Sequence, residues 1–305
     1  MGKIAFVFAG QGAQAPGMGR ELYETVPAAR EVFQAADALR PGTAEQCFSG
    51  TAAELQQTEN TQPCLYTVEL AAAAALRQAG VQADFAAGFS LGELAAACYA
   101  GIYSFADGFR LVCRRGAEMQ RAAELHETAM AAVLKLPAAE VEALCAQFSQ
   151  VYPVNYNCPG QISVSGDAAE LKRFLAAVKE HGGRAVPLKV RGAFHSPYMA
   201  PAAEAFGQAL AACSFLEPRI PLYSDVTAQR YEGSPAELLR RQIVSPVRWQ
   251  EIVEHMQAAG ADTFVELGPG TTLSGMITRI LPQARVYHVE DAASFAAALE
   301  GLKAC

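Results

Sequence analysis

The sequence predicts a layered α/β domain with a small α+β unit inserted into it. Three observations carry that expectation. Ile4-Ala5-Phe6-Val7-Phe8 is an uninterrupted apolar run, the pattern of a parallel strand covered on both faces. From there to about residue 125, short apolar runs alternate with longer stretches of helical spacing. Between residues 126 and 191 the order becomes β-α-β-β-α-β, after which the first pattern resumes.

Each element has a local reason. After the first strand comes Gly10-Gln11-Gly12, then a helical stretch from near Arg20 in which Leu22, Val26 and Phe33 recur at helical spacing. Residues 63–79 read as an alanine-rich buried helix. Phe85-Ala86-Ala87 is a short strand, Gly88-Phe89-Ser90-Leu91-Gly92 a tight turn, and Glu93 to Ala97 the start of a helix. An amphipathic helix follows around 105–121. In the inserted unit, Ala129–Leu136 reads as a strand and Ala138–Phe148 as a helix. Val151–Asn157 and Gln161–Ser165 read as strands joined by a Pro159-Gly160 turn. Ala168–His181 reads as a helix and Arg184–Val190 as an alternating strand. This is a ferredoxin-like arrangement at a size suited to an insertion. The expected division is a large domain of residues 1–125 and 192–305 and a ferredoxin-like subdomain of 126–191. Ile220–Tyr223, Thr263–Leu267 and Arg285–Val289 are further strand candidates of the large domain.

At 305 residues the chain can bury a core without disulfide support. Its net charge is −7 and no basic patch stands out, which argues against a nucleic-acid partner. The eight cysteines (47, 64, 98, 113, 145, 158, 213 and 305) include no C-x-x-C pair. They read as thiols in a reducing compartment, and a zinc site is not expected. The first apolar run is too short for a signal sequence, and the uncharged stretch Leu94–Ala106 is too short to span a bilayer. A cytoplasmic chain with no membrane partner and no bound metal is expected.

The residues suited to chemistry begin with Ser90. Strand, Gly-x-Ser-x-Gly turn and helix are the context of a nucleophile elbow, which presents a serine hydroxyl above a sheet at a helix N-terminus. The plainer alternative is a serine capping the helix at residues 92–100. A serine nucleophile needs a base, and there are five histidines. His181 and His255 fall on polar helical faces, and His126 lies in a charged stretch. His288 ends a strand and suits a Ser…Asp…His hydrolase order. His195 lies in the loop Arg191-Gly192-Ala193-Phe194-His195-Ser196-Pro197, between the last subdomain strand and the next helix. Gln11 follows the first strand and could line an oxyanion site, although the segment is neither a dinucleotide nor a Walker fingerprint. Arg114-Arg115 lies within an apolar helical pattern, so one of the two must point inward. A buried arginine needs an anionic partner, either Glu118 or Glu93 or a substrate carboxylate held bidentately.

Taken together, these segments resemble the malonyl-CoA:acyl carrier protein transacylase family and the related acyltransferase domains of fatty acid and polyketide synthesis. The resemblance covers essentially the whole chain. It rests on Gly10-Gln11-Gly12-Ala13-Gln14, Thr61-Gln62-Pro63, Gly88-Phe89-Ser90-Leu91-Gly92-Glu93, Arg115-Gly116 and Asn155-Tyr156-Asn157-Cys158-Pro159-Gly160-Gln161. It also rests on Gly192-Ala193-Phe194-His195-Ser196, Gln242 ahead of Ser245-Pro246-Val247, and Glu266-Leu267-Gly268-Pro269-Gly270. The resemblance implies an α/β-hydrolase-like core with an inserted ferredoxin-like subdomain. It implies Ser90 as nucleophile, His195 as base, and the amides of Gln11 and Leu91 as oxyanion hole. It further implies Arg115 on the malonyl carboxylate, Gln62 as an active-site glutamine, and Gln242 orienting the histidine through its backbone carbonyl. One position departs from the pattern: Phe89 stands at the pocket wall where the family usually has histidine, while the segment around Phe194 resembles malonyl-selective members. The implied activity is malonyl transfer from malonyl-CoA to an acyl carrier protein by a monomer without cofactor. An editing acyl hydrolase and a non-catalytic carrier-protein scaffold are the alternatives.

Overall fold

Two four-stranded sheets organise the chain, and the computed structural model describes residues 2–190 and 192–303. Met1, Arg191, Ala304 and Cys305 lie outside the described residues. The strands are β1 (Lys3–Phe8), β2 (Phe85–Gly88), β3 (Thr128–Leu134), β4 (Val151–Cys158), β5 (Gln161–Asp167), β6 (Arg184–Pro187), β7 (Ala261–Leu267) and β8 (Arg285–Val289).

The first sheet has the order β2-β1-β7-β8, and every pair is parallel. Ala5 to Phe8 are fully buried, as expected for a central strand with helices on both faces. Phe8 pairs with Gly88 on one side and Leu267 on the other, so three strands end level. The segments that follow them emerge at one edge, where open parallel sheets bind ligands. Helix Thr58–Gln78 is apolar nearly all round and runs buried behind this edge. It starts before the expected residue 63, and Pro63 lies inside its second turn. The stretch after Arg20 is two helices, Arg20–Thr25 and Pro27–Leu39. Val26 is held extended at φ −117° ahead of Pro27, which starts the second helix.

The second sheet has the order β4-β5-β3-β6, antiparallel throughout. Helices Ala138–Cys145 and Ala168–Glu180 pack Val141, Leu144, Leu171, Phe174 and Val178 against Ala131, Val133, Ile162 and Val164 in a separate apolar cluster. The two sheets are stitched together. Tyr156 N–H donates to Val247 O (2.9 Å) and Val247 N–H to Val154 O (2.9 Å). Arg279 donates to Gln161 Oε1 (2.7 Å) and Pro159 O (3.0 Å).

Two strand expectations are corrected. Ile220–Tyr223 forms no strand; it makes single bridges, Leu222 to Ala86 and Tyr223 to Arg230. Pro221 has no N–H to extend a ladder. β6 stops at Pro187 rather than running to Val190, although Leu188 N–H still donates to Met130 O (2.9 Å). The cysteines among the described residues are free thiols. No helix among the described residues is long and apolar enough to cross a membrane. No group of three or more potential metal-ligating side chains converges among them.

Candidate active site

The turn after β2 is steeply constrained. Ser90 adopts φ 56°, ψ −103°, a region that side chains rarely occupy. A Cβ on Gly88 would lie 1.9 Å from the Gly92 carbonyl carbon, and one on Gly92 would lie 2.2 Å from Phe8 O. Only glycine fits at both positions. The helix Leu91–Tyr99 begins at once, so its N-terminal dipole points at the serine. The turn is held to β1 through Phe89 N–H to Phe8 O (3.0 Å).

His195 comes from the loop after β6 and also takes a positive φ, 61°. Its Nε2 lies 2.7 Å from Ser90 Oγ and its Nδ1 2.9 Å from Gln242 O. A carbonyl only accepts, so Nδ1 carries the proton and Nε2 is free to accept the serine proton. Burial, then the Arg115 charge, push the imidazole down to about 4, against the opposing pull of the Gln242 and Ser245 carbonyls. At neutral pH the ring is therefore an unprotonated acceptor.

Arg115 lies on the buried face of helix Phe105–Glu124. Arg114 takes the exposed side and pairs with Glu118 at 3.1 Å. Arg115 is fully buried and donates from Nη2 to Gln242 Oε1 (2.7 Å) and Ser90 Oγ (3.3 Å). Its Nε and Nη1 have no partner among the described residues. Neither Glu118 nor Glu93 is hydrogen-bonded to it. Burial brings its guanidinium down to about 10, and it stays a cation at neutral pH. Two unpartnered guanidinium nitrogens beside a serine hydroxyl form a receptor for a planar anion.

Other expected residues are placed as follows. Among the described residues the amides of Gln11 and Leu91 donate to no protein acceptor; Gln11 lies in the segment after β1 and Leu91 directly follows Ser90 in the turn after β2. The Gln11 side chain donates to Thr58 Oγ1 (3.3 Å). Gln62 is buried, donates to Met119 Sδ (3.4 Å), and leaves its Oε1 unpartnered. Met119 is one helical turn beyond Arg115, on the same face. Phe194 packs in the main core while Ser165 Oγ donates to its carbonyl (3.2 Å). Phe89 stacks edge-on against Trp249 with centroids 5.7 Å apart and closes on Gly10. It thus packs with the apolar cluster of Trp249, Ile252, Val253 and Leu273 behind the parallel sheet rather than with Arg115. The remaining histidines make other contacts: His288 is 3.6 Å from Glu290, His181 is 3.2 Å from Glu140, and His255 is 2.8 Å from Ala228 O. His126 meets the Tyr198 ring edge-on, with centroids 5.3 Å apart.

Sequence reasoning missed Asp225 and Tyr231 and the reach of the Gln242 side chain. Ser90 N–H donates to Asp225 Oδ2 (2.8 Å). Gln242 Nε2 donates to Ser90 O (2.6 Å), and Tyr231 O–H to Glu93 Oε1 (2.6 Å). Beside the site, a groove of about 1350 Å³ runs past Gln57, Thr58, Ala123, Lys189 and Gly192. It shares Thr58 with the Gln11 contact and Gly192 with the His195 loop.

A buried serine, a neutral histidine oriented by a carbonyl, two free amides and an anion receptor can together carry acyl transfer through a serine ester. The acyl transferase domain family model matches residues 5–298. The malonyl CoA-acyl carrier protein transacylase of Bacillus subtilis (strain 168) is 40% identical over 311 residues, 99% of this chain and 98% of the relative. That of Escherichia coli (strain K12) is 37% identical over 308 residues, 98% of this chain and 100% of the relative. The crystal structure of the Clostridium perfringens malonyl CoA-acyl carrier protein transacylase superposes with a TM-score of 0.96 at 36% identity, covering 99% of this chain and 98% of that one. The transacylase in a type II PKS acyl-carrier protein complex superposes at 0.94 and 32% identity, covering 98% of this chain and 99% of that one. With matches of this extent in sequence and in structure, the chain belongs to the acyl transferase family, among the malonyl CoA-acyl carrier protein transacylases.

Proposed function

We propose that the chain moves a malonyl group from malonyl-CoA to the phosphopantetheine thiol of an acyl carrier protein. Ser90 Oγ attacks the thioester carbonyl as His195 Nε2 takes its proton. The Gln11 and Leu91 amides hold the oxyanion; one such donor is worth about 3 kcal/mol in other enzymes. The C–S bond breaks, the proton passes to the departing CoA sulfur, and a malonyl-serine ester remains. The carrier thiol then attacks this ester with His195 again as base, and Ser90 regains its proton. Arg115 holds the free malonyl carboxylate throughout.

The observation that carries this reading is the pair of unpartnered Arg115 nitrogens beside the Ser90–His195 contact. An acyl hydrolase has no need of a buried cation set aside for a second carboxylate. The reading calls for no metal or organic cofactor, and the groove supplies the approach for the pantetheine arm. It takes the protein as a cytoplasmic monomer of two parts, 1–125 with 192–305 and 126–191.

Intact mass spectrometry after mixing with malonyl-CoA tests it. Wild type should carry one malonyl group, which a holo carrier protein removes and water alone does not. Ser90→Ala should carry none. An adduct on Ser90→Ala would sink the assignment, and loss of the ester to water as fast as to the carrier thiol would favour the hydrolase.

A further inference from the structure

The atoms beneath Ser90 contain more acceptors than hydrogens. Arginine only donates, so the Gln242 atom 2.7 Å from Arg115 Nη2 must be the oxygen. Gln242 Nε2 therefore faces the other way, with two hydrogens for three acceptors: Ser90 O (2.6 Å), Glu93 Oε2 (2.7 Å) and Asp225 Oδ2 (3.2 Å). The contact to Asp225 is the longest and weakest of the three. Glu93 also receives the Tyr231 hydroxyl, whereas Asp225 has only the Ser90 amide beside that long contact, and its Oδ1 has no partner among the described residues.

Both carboxyl groups are fully buried and interact directly. The charged and titratable groups facing Asp225 are Glu93 from the elbow helix, Arg115 from helix Phe105–Glu124, and Tyr231. No arginine, lysine or histidine forms an ion pair with either carboxyl among the described residues. Two adjacent carboxylates in such a place cannot both ionise, and Glu93 has the better donors. Burial and the Glu93 charge push Asp225 well above the ordinary carboxylate range, in the same direction.

We propose that Asp225 is a positioning residue of this site that works as a neutral carboxylic acid. One oxygen accepts the Ser90 amide and fixes the strained turn; the proton faces Glu93. Glu93 is then the only anion facing Arg115 among the described residues. A second anion would weaken the pull of Arg115 on an anionic acyl group. This rests on the malonyl reading above.

The test compares Asp225→Ala and Asp225→Asn in the full chain. Asparagine keeps the acceptor and replaces the acid proton with an N–H, so it copies the neutral form. Asp225→Ala should slow malonylation of Ser90 about 30-fold, the scale of a buried amide losing its partner, with little change in KM. Asp225→Asn should recover most of that loss and keep the wild-type pH profile. Equal loss in both variants, or a new alkaline limb in Asp225→Asn, would mean that the charge is needed and would overturn the proposal. So would an Asp225→Ala enzyme as fast as wild type. Infrared spectra decide the protonation state without substrate and without the alanine variant. The wild-type minus Asp225→Asn difference spectrum should contain a protonated-carboxyl band, from which the buried Glu69, also held above the carboxylate range, cancels. No such band in the difference would place the proton elsewhere, whatever the acyl substrate is.

Discussion

Arg115 and His195 show how burial turns ordinary side chains into selective ones. The Arg115 nitrogens that lack partners have lost water and gained nothing from the protein. A substrate carboxylate would repair that deficit with charge-assisted bonds of about 1.5–3 kcal/mol. Arg115→Ala should therefore reduce malonyl transfer about 100-fold more than acetyl transfer, measured as kcat/KM for the two acyl-CoAs. Equal losses would make Arg115 a purely structural cation. His195 predicts a pH effect. In the folded chain it gains a proton only near pH 4, whereas the unfolded chain does so near 6.5. Below 6.5 the unfolded state binds the extra proton, so native stability falls as pH drops toward 4, by up to about 3 kcal/mol. Above 6.5 both states are neutral there and the penalty is absent. Denaturant unfolding across this window should show a shallower pH slope for His195→Gln than for wild type. Transfer activity of wild type should persist well below pH 6.5.

At the scale of elements, the elbow depends on two missing side chains. A methyl group on Gly92 would enter the β1 backbone at Phe8 O, an atom that cannot swing aside. Gly92→Ala should cost more than about 3 kcal/mol or prevent folding, and thermal melting checks it. This element was fully legible in the sequence, because strand, turn and helix are contiguous and their glycines have a steric reason. The helix Phe105–Glu124 was legible too, since its apolar period placed one of two arginines inside. The apolar run misled at Ile220–Tyr223, where a strand was expected and only single bridges form, Pro221 removing a donor from an otherwise plausible run. Periodicity also missed the role of Asp225, which meets Ser90 across 135 residues of chain. Local pattern carries no information about such partners. Phe89 illustrates the same limit: its neighbour Trp249 explains the ring, and nothing near it in sequence does.

In the whole molecule, the alternation of the first 125 residues and the change of order after them mark the two sheets. How the sheets meet is written in neither pattern. The Tyr156–Val247–Val154 ladder joins the edge of the antiparallel sheet to a segment five residues past Gln242, whose carbonyl holds His195. The antiparallel sheet thereby braces the histidine anchor. Parting the two sheets would break main-chain bonds five residues from the anchor of the base, so any such movement would also disturb the seat of His195. A chimera that exchanged the antiparallel sheet and its helices for foreign ones would therefore import a new alignment of the histidine.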